Sequence, residues 1–120
     1  MSYIRREAVD ILTTASGAAT EYSPPITGRL VEIIYTKDAS NAFASTADFT
    51  ITTERDALAV LTVANVNASA SYRPIRKATT ATGAASTLTE LPIYLAGDRV
   101  KFAVAQGGAA KNGRFAVIVE

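Results

Sequence analysis

The side chains in this chain that could do chemistry are carboxylates, cations and hydroxyls, because its 120 residues include no His, no Cys and no Trp. The usual general base, the thiol nucleophile and the commonest zinc ligands are therefore gone. Asp38, Ser40 and Asn41 lie close together and offer oxygen to a hard cation. The spacing of a calcium loop is absent, so a solvated turn is expected there. Glu54 and Asp56 flank Arg55, and alternation puts both acids on one polar face. Turn residues are expected rather than an acid–base pair. The segment from Gln106 to Gly113 looks superficially like a phosphate loop. It lacks the Gly-Lys-Ser/Thr ending and leads into a strand, so no helix dipole would hold an anion, and a hairpin turn is expected.

Two basic groups remain. Arg73, Arg76 and Lys77 surround Pro74, with Tyr72 beside them, and Arg5 and Arg6 lie near the N-terminus. A nucleic-acid site would interleave several bases and aromatics on one sheet face. These cations fall at strand ends instead, which fits docking onto a partner or a simple solvated edge. The expectation is a chain with no catalytic, cofactor-binding or metal-binding residue. Arg5, Arg6, Arg73, Arg76 and Lys77 are its candidate partner contacts.

The elements that must position these residues are short strands. Ala47, Phe49 and Ile51 alternate with Asp48, Thr50 and Thr52, the period of a half-buried strand. Val100, Phe102 and Val104 repeat the pattern, as do Phe115, Val117 and Val119. Gly107-Gly108 and Asn112-Gly113 predict a looped hairpin between those two strands. Residues 28–36 carry apolar groups on both faces, which predicts a central strand. Leu58 to Ala64 pairs back onto Phe49 to Thr53 through a short loop. Weaker strands are expected at 7–13, 19–22, 70–75 and 92–95, and long polar loops at 37–46 and 77–90. Pro24-Pro25 removes two ladder donors and marks a boundary, so residues 1–26 read as an extended N-terminal arm. Together these predict one domain over residues 1–120, an antiparallel β-sandwich or jelly roll of about eight strands. Val31, Ile33, Phe49, Ile51, Val60, Val100, Phe102, Val104, Phe115 and Val117 should form its core.

Charge narrows the partners. Twelve Lys and Arg face eleven Asp and Glu, a net charge of +1. That balance predicts neither nucleic acid nor an anionic membrane. No apolar run approaches the roughly 18 residues of a membrane span, and Asp10 interrupts the apolar stretch near the N-terminus where a signal peptide would need continuity. Absence of cysteine fits a reducing compartment.

The layout resembles small structural proteins of tailed bacteriophages and prophages. The resemblance is carried by Gly28-Arg29-Leu30-Val31-Glu32-Ile33-Ile34-Tyr35, by Thr46-Ala47-Asp48-Phe49-Thr50-Ile51-Thr52, and by the stretch from Leu95 through Arg99-Val100-Lys101-Phe102 to Gly113-Arg114-Phe115. It spans most of residues 27–120 and is most similar to capsid decoration, or cement, proteins. It implies a virion protein made in a bacterial cytoplasm, a trimer or dimer that binds major capsid protein or other virion proteins. It implies no catalysis. A tail, baseplate or head-fibre component would share the same features. A carbohydrate-binding β-sandwich would need an exposed aromatic platform, and most aromatics here fall on apolar faces.

Overall fold

Two sheets form because the alternating strands each have one apolar face to hide. A computed structural model describes residues 4–120, with the backbone alone at residues 87 and 88. It holds eleven strands: β1 (Arg5–Leu12), β2 (Ala19–Tyr22), β3 (Ile26–Lys37), β4 (Asp48–Thr53), β5 (Ala59–Val63), β6 (Ala70–Tyr72), β7 (Arg76–Thr79), β8 (Ala85–Leu91), β9 (Ile93–Asp98), β10 (Val100–Ala105) and β11 (Asn112–Val119). There is no helix among the described residues. One sheet runs β1-β11-β3-β6, with β9 also paired to β3; the other runs β2-β10-β4-β5. β7 and β8 pair only with each other. Every strand pair is antiparallel. The expected all-β, sandwich-like architecture is the observed one, with more strands than the eight or so expected.

The core lies between the sheets, and rings bridge it. Phe49 of one sheet meets Phe115 of the other edge-on at 4.9 Å and Tyr35 at 4.8 Å. Phe102 stacks on Phe115 at 4.7 Å. All four Phe are buried. Burial pushes the Tyr35 phenol above its usual range, which keeps it neutral among them. Nine of the ten expected core residues are buried.

The exception is Val31, which is only half-buried. Glu32 pairs with Ile118 while Leu30 pairs with Val119, so Val31 is an extra residue in β3. Such a bulge shifts the two-residue phase. Leu30 and Ile33 both point inward as a result, at 2% and 0% exposure.

Three other expectations are corrected. The expected arm over 1–26 is part of the body. β1 pairs with β11 along its whole length, Val9 and Ile11 are in the core, and β2 pairs with β10. Pro24-Pro25 instead marks the crossing from one sheet to the other. Buried Ser23 secures it, accepting from the Val100 N–H at 2.9 Å. β10 and β11 are not a hairpin either, since they lie in different sheets and residues 106–111 cross between them. Finally, the expected loop over 77–90 contains strands β7 and β8.

Candidate partner-binding surface

The surface most open to a partner grows out of an interrupted edge strand. β6 pairs Tyr72 to Ala70 against Ile33 to Tyr35, and β9 continues along β3 by pairing Ile93 with Leu30. Both lie on the edge of β3 opposite β11 and run in the same direction. They are two halves of one strand, and residues 73–92 leave between them. Local chemistry explains the break. Pro74 and Pro92 stand at the two feet and cannot donate to a ladder. The bulge at Val31 lies opposite the gap.

What leaves is a hairpin arm. β7 pairs with β8, Lys77 lies opposite Glu90, and Arg76 lies opposite Leu91. At the tip Thr80 and Ala84 close the turn at 2.8 Å, with Gly83 at φ +88°. No described residue from 75 to 91 is buried. The radius of gyration, 15.1 Å, exceeds the roughly 14 Å of a compact domain this long.

The candidate cations divide between two places. Arg73 bridges Glu32 at 3.3 Å at the foot of the arm, and Lys77 bridges Glu90 at 3.1 Å. Arg76 makes no ion pair among the described residues. Arg5 and Arg6 lie on β1, on the far edge of that sheet. Arg5 is already used, donating to the Thr27 carbonyl at 2.6 Å. Arg5 and the start of β9 are three strands apart, about 14 Å by strand spacing. The structure thus unites Arg73, Arg76 and Lys77 but not the two N-terminal arginines with them.

Sequence reading missed the apolar half of this surface. Ile75, Leu91 and Tyr94 are 50%, 46% and 72% exposed and cluster at the arm's root. Tyr94 could have been found, since alternation with buried Ile93 and Leu95 sends it outward. Leu91 and Tyr94, with Pro92, line a groove of about 330 Å³ that Arg76 also borders. A second groove of about 320 Å³ lies at the same root, against Arg73, Pro74 and Ile75.

Several of the other chemical groups are engaged within the protein. Asp38 accepts from the backbone N–H of Asn41 at 2.6 Å and of Ser40 at 3.1 Å. These bonds hold its carboxyl below the usual range, as expected of a turn. Glu54 accepts from Arg99 Nε at 2.8 Å, which lowers its carboxyl too, and that guanidinium lies 4.2 Å from the Tyr22 ring centre. In the glycine loop the Gly107 N–H donates to the Gly17 carbonyl at 2.8 Å, so it does not face an anion. A third groove, about 410 Å³, is bordered by Asp10, Asp38 and Arg114. Arg114 Nε donates to Asp10 at 2.6 Å and holds that acid below its usual range, so this groove offers few unengaged charges. Among the described residues no three His, Cys, Asp or Glu come together as a metal cluster. Nor, among the described residues, is any helix long and apolar enough to cross a membrane. No family model, curated protein or solved structure matches this chain.

Proposed function

We propose that this protein is a structural part of a phage particle, a decoration protein that binds across neighbouring shell subunits and holds them together. The observation that carries the reading is the arm: residues 73–92 leave an otherwise complete sandwich, and among their described side chains only Pro74 is buried. A two-stranded hairpin is marginal in water by itself. An arm with exposed Ile75, Leu91 and Tyr94 gains most by seating on another surface. Many copies on a symmetric shell would turn modest contacts into firm attachment through avidity. The resemblance to cement proteins points the same way. A sugar-binding sandwich is disfavoured, because the Phe rings are buried and the exposed aromatics among the described residues, Tyr22 and Tyr94, lie in different sheets.

The test is to purify particles and measure the copy number of this protein against the major shell protein. A fixed ratio to the shell, with particles lacking the protein failing at lower temperature or under osmotic shock, supports the reading. Robust particles without it contradict it. Presence on tails alone makes it a tail component instead.

A further inference from the structure

We infer that the root of the arm, not its tip, makes the decisive contact, and that the surface it seats on is a protein surface, apolar with a carboxylate set to receive Arg76. This rests on the shell-attachment reading and names the partner's chemistry.

The register sorts the charges. Directly opposite residues in an antiparallel pair share a face. Lys77 and Glu90 are opposite and bridge each other. Arg76 is opposite Leu91, where no carboxylate answers it. The Lys77–Glu90 pair is thus neutral, and the groove that Lys77 also borders combines Leu91, Pro92 and Tyr94 with the unmatched guanidinium of Arg76. Tyr and Arg beside small apolar groups are the composition of interface hot spots. The tip offers little by contrast, since Thr80 to Ala84 are small and uncharged.

The same features select the occupant. A phosphate backbone needs a row of cations, and Arg73 and Lys77 are already paired with Glu32 and Glu90, which leaves Arg76, among the described residues, as the unpaired one of the three. Two copies meeting root to root would bring two Arg76 guanidiniums into the contact without an unpaired carboxylate from the arm, since Glu90 is taken by Lys77. A protein surface with an apolar patch and an acid satisfies both Tyr94 with Leu91 and the guanidinium, which binds carboxylates through two parallel hydrogen bonds.

The experiment uses particles purified with Tyr94→Ala, Arg76→Glu or a tip variant, Thr82→Ala, in the full chain. Attachment should weaken about tenfold or more for the first two, and hardly change for the third. All three should unfold at the wild-type temperature, because these side chains lie outside the core. A photo-crosslinker at position 94 should then capture another virion protein near an Asp or Glu. Reversing that acid to Arg should restore binding of Arg76→Glu. Full attachment of both root variants, or a crosslink from position 94 to a second copy, overturns this inference alone. A protein absent from every particle overturns the shell-attachment reading beneath it.

Discussion

Residues 13–18, 38–47 and 106–111 connect the two sheets at one end, while residues 73–92 leave the side of one sheet, and the two regions are built on opposite plans. The connecting loops are stitched together. Ala44 donates to the Gly107 carbonyl and Asn112 to the Asn41 carbonyl, both at 2.9 Å. Buried Thr13 donates to the Gly108 carbonyl at 2.6 Å and accepts from the Lys111 N–H at 2.8 Å. Phe43 anchors the middle loop in the core. Among the described side chains the arm has no buried anchor beyond Pro74 at its foot. A polar, small-residue segment becomes rigid when its backbone finds partners in other loops, and stays separable when it pairs only with itself. Composition alone does not distinguish the two.

Perturbing each region should give effects of very different size. Phe102→Ala, which removes the ring stacked on Phe115 between the sheets, should cost about 3–5 kcal/mol in a denaturant titration; a near-neutral result would mean the sheets do not pack through these rings. Thr13→Val keeps the shape but orphans the Lys111 N–H, and should cost about 1–3 kcal/mol. If it costs nothing, the loops are not locked as described.

Acid should act more gently. Asp10, Asp38 and Glu54 all have carboxyls held below their usual values, and all belong to the body. Their contribution is present above the unfolded pKa and is lost as pH falls through the folded one. The melting temperature should be flat down to about pH 5 and decline modestly below about pH 4. A melting temperature that rises between pH 5 and pH 3 would contradict these pairings. Smallest of all, Ile75→Ser and Leu91→Ser should change stability by no more than about 0.5 kcal/mol. A loss above about 2 kcal/mol in either would place the arm's root within the core.

The body was legible in the sequence because its strands obey a period of two. Phe49, Ile51, Phe102 and Val117 could be assigned inward from alternation alone. Val31 could not, because a bulge changes the phase without any marker in composition. Pairing was also illegible where a connection crosses between sheets. Gly107-Gly108 supports a hairpin and a crossover equally well, and only the bonds to Gly17 and Ala44 decide between them. The basic cluster at Arg73, Arg76 and Lys77 was visible. The apolar groups that share its surface were not, since exposure of Ile75 and Leu91 depends on a hairpin that Thr- and Ala-rich residues 77–90 do not announce.

Hydrogen exchange, compared between the free protein and the protein on particles, tests the central claim most directly. Amides of β7 and β8 should exchange far faster than those of β3 and β11 in the free protein, because the arm can open without disturbing the core. On particles the arm should become protected while the body stays unchanged. An arm as protected as β11 when free, or one that gains no protection on particles, would contradict the account.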